Sequence, residues 1–501
     1  MTIVDNFKRS GAHAGLSFLA CLFWAGSAAA EVTLVEKDGW TFYADGRVGA
    51  FLSVAAGDDF PEATPPLPGP DPTMPSPFPT HVLMGSGGNV GPSAPTGFGW
   101  RANVAIADVD NKWFSMRVRS GMISNVLGFG LRRAITDSTS VNGYIAIWTP
   151  IESLGRDKWY AITADVREGY LDLEGPWGSL TAGRMLTLIA RTSYEVDVLY
   201  GHGYGVGFPC VDGIGPTCGQ AGAGSLHPGY GAGLVYGTPS LGGLKVQLGL
   251  FDPVRMIGAS QLAGLQYEHV PIVRPEGALS FETALGATGL LKIGVEGLYQ
   301  PVGQIVQEDT DGDPNTPAVK RELSDSLWGV SGGLRLEAGP ARIGVGGFHG
   351  AGLGLVTALQ ATDASGGPSV AVDPVTGART LNSEEREIRT FTGFHGQLAG
   401  VFGNLQVGVG GGVGMAGELD SDEINAGFSA GERHLGISAT LYYHVSDAVV
   451  VGADYMRFMA TWRGAPAVAA DAAGNPVITG NRLPGEEQSL NFINAGVTYH
   501  W

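Results

Sequence analysis

The stretch from Ser489 to Trp501 alternates between apolar and polar side chains. The apolar positions are Ile493, Ala495, Val497, Tyr499 and Trp501. They alternate with Asn494, Gly496, Thr498 and His500, of which Gly496 has no side chain and the others are polar. A period of two places these sets on opposite faces of a β-strand, one suited to lipid and one to water. We therefore expect the chain to end on a strand that separates hydrocarbon from an aqueous space.

The N-terminal residues have the pattern of an export signal. Lys8 and Arg9 precede an apolar run from Leu16 to Ala25, and small residues follow up to Ala30. This predicts a signal peptide over residues 1–30 and a mature domain over residues 31–501. No other stretch has the ~20 apolar residues of a membrane-spanning helix. A membrane-crossing form would therefore be a closed β-barrel, because only helices and closed barrels satisfy every backbone polar group in lipid.

The composition favours one large β architecture. The 501 residues include 80 Gly and only 3 Cys, and 16% are charged. The chain has too few Cys for a small secreted domain stabilised by disulfides and too many aromatic residues for a disordered protein. The net charge of −18 argues against binding to nucleic acid.

Alternating segments recur along the whole mature domain. They predict a transmembrane antiparallel β-barrel of about 16 strands, an even number that suits termini on the same side of the membrane. The candidate strands are Trp40 to Val54, Trp113 to Arg133, Val141 to Thr149, Trp159 to Leu173, Gly178 to Met185, Pro228 to Thr238, Leu244 to Asp252, Pro271 to Leu285, Leu290 to Val302, Ser324 to Ala338, Ala341 to Thr357, Arg389 to Phe402, Leu405 to Ala416, Glu432 to Val445, Val449 to Thr461 and Ser489 to Trp501.

Short turns alternate with long polar loops between these strands. This asymmetry predicts short turns on the periplasmic rim and long loops on the extracellular rim. The long loops are Gly57 to Asn111, Leu186 to His227, Gly303 to Leu323, Ala361 to Glu387 and Arg463 to Gln488.

The polar faces of the strands favour a wet interior. In Leu290 to Val302, one face carries Lys292, Glu296 and Gln300, and the other carries apolar residues such as Ile293. A soluble β-sandwich with its polar face outside would show the same period. The export signal, the terminal strand and the strand number favour the barrel.

Three motifs resemble the general porin family of Gram-negative bacteria. Val166 to Arg184 reads V-R-E-G-Y-L-D-L-E-G-P-W-G-S-L-T-A-G-R, Leu127 to Arg132 reads L-G-F-G-L-R, and Tyr236 to Gly242 reads Y-G-T-P-S-L-G. The resemblance implies a water-filled barrel in the outer membrane, a homotrimer, and a third loop that folds inward to narrow the lumen. Here that loop is Leu186 to His227.

The resemblance also implies a charged constriction. Glu195 and Asp197 of the inward loop would face arginines on the barrel wall. A change of apolar parity near Gly121 suggests a β-bulge that turns several of these arginines inward. Simple surface ion pairs are the alternative for each of them. The wall candidates are Arg47, Arg117, Arg119, Arg132 and Arg167.

Arg184 has the parity of outward-facing residues. A charge on the lipid face costs roughly 2 to 4 kcal/mol near the membrane midplane. Arg184 is therefore expected to lie at a subunit interface, or else at the rim, where exposure costs little.

Two further groups of residues carry predictions about ligands. Cys210 and Cys218 lie in the inward loop and are expected to form a disulfide in the oxidising periplasm, with metal binding by free thiols as the alternative. Asp309, Asp311 and Asp313 alternate as Ca²⁺ ligands do, but a solvated acidic loop is favoured because Pro314 stands where an EF-hand needs Gly. No cofactor is expected.

The leading functional hypothesis is passive diffusion of ions and small hydrophilic solutes across the outer membrane. A solute-specific channel with a ligand-binding constriction is the first alternative. An outer-membrane enzyme or adhesin is the other, although the sequence has neither a nucleophile elbow nor an HExxH pair.

Overall fold

The computed structural model describes residues 31–58, 81–82, 112–123, 125–149, 151, 165–199, 218–254, 272–308, 319–356, 358–359, 366–424, 429–464, 466–470, 476–482 and 486–501. The predicted signal peptide, residues 1–30, lies outside these residues. The strands of the described part are β1 Val32–Lys37, β2 Trp40–Asp58, β3 His81–Val82, β4 Lys112–Arg119, β5 Asn125–Thr136, β6 Thr139–Thr149, β7 Asp165–Gly175, β8 Gly178–Leu186, β9 Tyr230–Gly237, β10 Leu244–Phe251, β11 Arg274–Leu285, β12 Gly289–Glu308, β13 Val319–Ala338, β14 Ala341–Ala351, β15 Gly366–Val372, β16 Arg379–Ile388, β17 Thr390–Phe402, β18 Leu405–Ala416, β19 Ser429–His444, β20 Val449–Trp462, β21 Pro466–Ala470, β22 Pro476–Arg482 and β23 Glu486–His500.

The strands close into an antiparallel barrel. Each barrel strand pairs with the next along the chain, and β23 returns to pair with β2, from Arg47 opposite His500 to Gly57 opposite Leu490. β4 and β5 share one position because both pair with β2 on the same side. The barrel therefore has 16 strand positions, which confirms the predicted fold class.

The outer face is apolar, as a lipid-facing surface requires. Along one strand, outward side chains are exposed while their inward neighbours are covered, so the alternation read from the sequence corresponds to two physical faces. Exposed apolar side chains on the outer face include Val48, Leu52, Leu248, Leu279, Val295, Leu398, Ile437, Ile493 and Val497.

The chain begins its described part with a hairpin. β1 and β2 are joined by Asp38 and Gly39, whose φ angles of 53° and 79° are both positive. Two such residues form the type I′ turn that matches the twist of paired strands, and Asp-Gly is a preferred sequence for it. β1 thereby extends the sheet beyond the end of β23.

Several predicted boundaries needed correction. The segment Trp113 to Arg133 is not one strand: the chain leaves the ladder between Arg119 and Asn125, where Met122 and Ile123 are buried. The strand from Ala341 ends at Ala351 rather than Thr357, because the following leucines, Leu353 and Leu355, are buried inside the barrel.

The predicted long loops also contain regular structure. β12 and β13 continue as paired strands to Glu308 and from Val319. β15 with β16 and β21 with β22 form two separate hairpins within the loops predicted over Ala361 to Glu387 and Arg463 to Gln488. Periodicity did not predict these hairpins because their composition is that of loops.

Candidate constriction site

An inward segment crosses the barrel interior after β8. We name residues Thr187–Leu199 the inward segment; it includes the helix α1, Thr192–Glu195. Leu188, Ile189 and Leu199 have no exposed surface. α1 contacts β12, β13 and β14. The described residues 187–199 of the third loop thus fold into the barrel, as the resemblance implied.

Glu276 on β11 anchors the start of the inward segment. Its Oε2 accepts hydrogen bonds from the backbone N–H groups of Leu188 and Ile189, at 2.7 and 3.0 Å. Its Oε1 accepts a bond from Nε of Arg274 at 2.7 Å, and both side chains are buried. A buried carboxylate with three donors is a strong attachment because charge-assisted hydrogen bonds exceed neutral ones.

Glu296 on β12 anchors the middle of the inward segment. The backbone N–H of Thr192 donates to its Oε1 at 2.8 Å, and the Thr192 hydroxyl donates to the same oxygen. Ser331 Oγ donates to Oε2 at 2.6 Å and accepts from the N–H of Ala190 at 2.9 Å. The wall of β12 and β13 therefore satisfies the N–H of Thr192, which has no partner within α1, and that of Ala190 just before the helix.

Amide side chains hold the far end of the inward segment. Val198 N donates to Oε1 of Gln397 on β17 at 2.7 Å, and Nε2 of Gln406 on β18 donates to the Val198 carbonyl at 2.9 Å. Arg335 Nη1 on β13 donates to the carbonyl of Asp197 at 3.3 Å. The inward segment therefore lies along the wall from β11 to β18.

Two more chain segments lie inside the barrel beside the inward segment. One contains Leu226 and His227, and the other contains Val356 and Ala358. His227 N donates to the Val356 carbonyl, and Ala358 N donates to the His227 carbonyl, both at 2.7 Å. Ser193 Oγ of α1 donates to the Leu226 carbonyl at 2.6 Å. The three segments are thus bonded to one another inside the barrel.

The predicted acids lie on the side of β12. Glu195 Oε2 is 3.3 Å from Lys292 Nζ, and Lys292 also lies 3.4 Å from Glu282. Asp197 Oδ1 accepts a hydrogen bond from the Leu199 N–H at 2.9 Å. Counting β2 as the first barrel position, β12 is the ninth of 16, so these acids belong to the wall across from β2.

The predicted arginines lie on the opposite side, on β2, β4, β5 and β7. Arg47 and Arg119 are buried, at 6% and 3% exposure, and Arg117 is half-buried. Arg132 forms an ion pair with Glu31 at 2.6 Å, and its Cζ is 4.9 Å from the centre of the Tyr43 ring. The barrel therefore places the predicted acids and arginines on opposing walls.

Arg167 reaches the interior through a β-bulge. The β6–β7 register shifts between Ala146 and Ile147, so Arg167 does not follow the outward parity of Leu171. Its Cζ lies 4.9 Å from the centre of the Trp148 ring, and Nε is 2.8 Å from Asp165 Oδ2.

Arg191 places a positive charge within the inward segment itself. Its Nη2 donates to the Leu186 carbonyl at 2.7 Å. Burial lowers the pKa of Arg191, and the carboxylates of Glu195, Glu296 and Glu276 act in the opposite direction. Sequence reasoning missed Arg191, because nothing in the loop's composition separates it from a solvated arginine.

The remaining predicted residues are only partly described. Arg184 is exposed, and its Nε donates to the Arg167 carbonyl at 3.1 Å. Cys218 is disulfide-bonded. Cys210, Asp309, Asp311 and Asp313 lie outside the described residues, so the Cys210–Cys218 pairing and the Ca²⁺ site stay predictions.

The described residues contain neither a cluster of metal-binding side chains nor a helix that could span a membrane. No group of three or more His, Cys, Asp or Glu side chains in that part of the chain is placed to hold a metal ion. Among the same residues, no helix has the length and apolar character needed to cross a membrane.

The barrel is similar to solved outer-membrane channels. The outer membrane channel DcaP of Acinetobacter baumannii is 11% identical with a TM-score of 0.54, over 94% of this chain and 100% of that chain. An anion-selective porin from Comamonas acidovorans is 11% identical with a TM-score of 0.49, over 92% of this chain and 100% of that chain. Salmonella typhi OmpF in complex with daunomycin is 10% identical with a TM-score of 0.44, over 93% and 99% of the two chains.

The similarity to DcaP supports the barrel fold. No protein-family model matches the chain, and no curated protein matches it. The part of the chain that the structure describes is a closed 16-stranded antiparallel β-barrel with the fold of the outer membrane channel DcaP.

Proposed function

We propose that the protein is an outer-membrane porin that forms a water-filled channel for passive diffusion of ions and small hydrophilic solutes. One observation carries the proposal: the inward segment is fixed against β11 to β18 inside a closed barrel, and arginines occupy the opposite wall. A solute would pass between the inward segment and that wall.

Opposed charges across such a passage would select for polar solutes. The acids Glu195 and Asp197 stand on one side, and Arg47, Arg119 and Arg167 on the other. The resulting transverse field orders water and orients dipolar solutes, so apolar molecules cross less readily than polar ones of equal size.

Permeation through liposomes tests this function. Vesicles that contain the purified protein should admit small sugars and amino acids at rates that fall with solute size, and empty vesicles should not. If the protein is folded and inserted but the vesicles are no more permeable to these solutes than empty vesicles, the proposal is contradicted.

A solute-specific channel is the second candidate. Tyr43, Tyr144, Trp148 and Tyr170 of the arginine wall are buried in one cluster, and such packing would give the passage a fixed shape that favours one class of solute over others. A solute that blocks ionic current at micromolar concentration would favour this candidate over a general pore.

We expect the acids of the inward segment to influence ion selectivity. The double change Glu195→Gln and Asp197→Asn removes two negative charges from the passage and should shift the reversal potential in a salt gradient towards anions. Asp373→Asn, in the exposed turn between β15 and β16, is the matched control and should leave it unchanged. Equal reversal potentials for all three proteins would remove these acids from the constriction.

We further propose a homotrimer in which a neighbouring subunit covers Arg184. Arg184 is exposed on the outer face of β8, where a lipid-facing charge costs roughly 2 to 4 kcal/mol near the midplane. Arg184→Glu should lower the temperature at which trimers dissociate, as native mass spectrometry or detergent electrophoresis would detect. Arg379→Glu, in the hairpin of β15 and β16, should not. Equally stable trimers in both variants would place Arg184 outside the interface.

We propose neither a catalytic reaction nor a cofactor for this protein. Lipase and protease assays on the purified barrel test for a reaction. Calcium binding at Asp309, Asp311 and Asp313 would be structural, and calorimetric titration with Ca²⁺ tests it.

A further inference from the structure

Trp148 stands at the centre of a cluster on the inner face of β6. The side chain is 4% exposed. Its Nε1 donates to Glu168 Oε1 at 3.2 Å, and its ring meets the Tyr230 ring edge-on with the ring centres 5.7 Å apart. The indole is therefore fixed at its edge by a carboxylate and at its side by a second aromatic ring.

Two guanidinium groups lie over this one ring. The distance from the ring centre to Arg167 Cζ is 4.9 Å, and to Arg47 Cζ it is 6.0 Å. Arg167 comes from β7 and Arg47 from β2, so the two arginines approach Trp148 from different strands. Arg167 also lies 5.7 Å from the centre of the Tyr230 ring.

An aromatic ring and a carboxylate bind a guanidinium in different ways. The ring attracts the cation through its quadrupole but contributes no negative charge that would cancel it. A stacked guanidinium also keeps its N–H edges available for an anion, because its donors lie in the plane of the group. Arg167 retains 27% exposure of its side chain, whereas Arg47 is buried at 6%, so Arg167 is the one of the two that solvent reaches.

We propose that Trp148 is a positioning residue that fixes Arg47 and Arg167 at the lumen wall and thereby sets the channel's preference for anions over cations. The proposal rests on the proposed function, because it requires a conducting channel. The anions concerned are small solutes with a carboxylate, a phosphate or a halide charge; the Arg167 guanidinium would contact them during passage, and the buried Arg47 would act through its charge.

Asp165 compensates the charge of Arg167 only in part. Asp165 Oδ2 is 2.8 Å from Nε of Arg167, and it is 46% exposed, so solvent screens the pair. Glu168 uses one carboxylate oxygen to accept the indole N–H. The position of the guanidiniums, and not only their number, should therefore determine the local field.

Reversal potentials of Trp148 variants in a salt gradient test the proposal. Trp148→Leu removes the aromatic face, and we expect the ratio of chloride to potassium permeability to fall by about twofold or more, since a desolvated cation–π contact has a sizeable free energy. Trp148→Phe keeps an aromatic face but loses the N–H donor to Glu168, and it should retain most of the ratio. Equal ratios in wild type and Trp148→Leu would overturn the proposal, and so would an equal loss in both variants.

Trp40 provides a matched control. It lies 5.3 Å from Cζ of Arg133, but both side chains are exposed on the outer face of the barrel. Trp40→Leu removes the same kind of ring from the same kind of pair outside the lumen. Its permeability ratio should equal that of the wild type, and a change as large as that of Trp148→Leu would overturn the proposal.

Arginine-to-lysine variants keep the proposal testable should Trp148→Leu fail to fold. Arg47→Lys with Arg167→Lys conserves the number of charges but removes the planar groups that stack on Trp148. The ratio should fall in the same direction as in Trp148→Leu, and an unchanged ratio would overturn the proposal. A wild-type protein that conducts no current would instead contradict the proposed function.

Discussion

Replacing Glu276 and Glu296 together with alanine should release the inward segment from the barrel wall. The single-channel current should become noisy and the mean conductance should rise, because the passage is no longer narrowed by a fixed segment. Glu276 accepts the N–H groups of Leu188 and Ile189, and Glu296 accepts that of Thr192. Hydrogen bonds to charged groups contribute about 1.5 to 3 kcal/mol each, so the attachment should weaken by several kcal/mol. Single-channel recordings measure both effects.

Glu282→Ala is the matched control for this release. Glu282 lies on β11 like Glu276, and its carboxylate pairs with Lys292 rather than with a backbone N–H of the inward segment. Quiet channels of wild-type conductance are expected from it. Identical recordings from the control and the double variant would mean that the two buried carboxylates do not hold the segment.

An arginine placed on the outer face of β11 should destabilise the barrel far more than one placed next to it on the inner face. Leu279 is 48% exposed and points towards lipid, whereas Ser280 is half-buried and points into the lumen. Leu279→Arg should reduce the free energy of unfolding by roughly 2 to 4 kcal/mol, the cost of a lipid-facing charge near the midplane. Ser280→Arg should reduce the free energy of unfolding much less, because the new charge stays in the water of the lumen. Denaturant unfolding of protein inserted in phospholipid vesicles measures both.

The neighbouring positions make this comparison specific. The two residues are neighbours on one strand and undergo the same change of charge, so the charge of the new side chain differs between the variants only in the face to which it points. Equal losses in the two variants, or a larger loss for Ser280→Arg, would contradict the assignment of faces.

Alternation predicted the strands closely because it reflects the physical difference between lipid and water on the two sides of the wall. The predicted strand Leu405 to Ala416 matches β18 at both ends, and Gly178 correctly begins β8. Alternation also indicated that Lys292 and Glu296 face the lumen. It failed at Gly352, where the apolar side chains that follow are buried against other inward segments rather than against lipid.

The contacts that hold the inward segment could not be predicted from the sequence. Glu296 meets Thr192 across 104 residues, and Gln397 meets Val198 across 199. No local sequence pattern encodes such pairs, because they depend on the barrel's diameter and on the path of the inward segment across its interior. Arg167 shows a second limit, because one extra residue in a β-bulge reverses the side to which it points.

Single-channel recording of the wild-type protein in a planar lipid bilayer, under a salt gradient, tests the central claim most directly. A hydrated passage through a closed barrel predicts stable ohmic conductance steps, in groups of three for a trimer, with a reversal potential that departs from zero. Folded protein that inserts into the bilayer and passes no current would contradict an open, water-filled lumen.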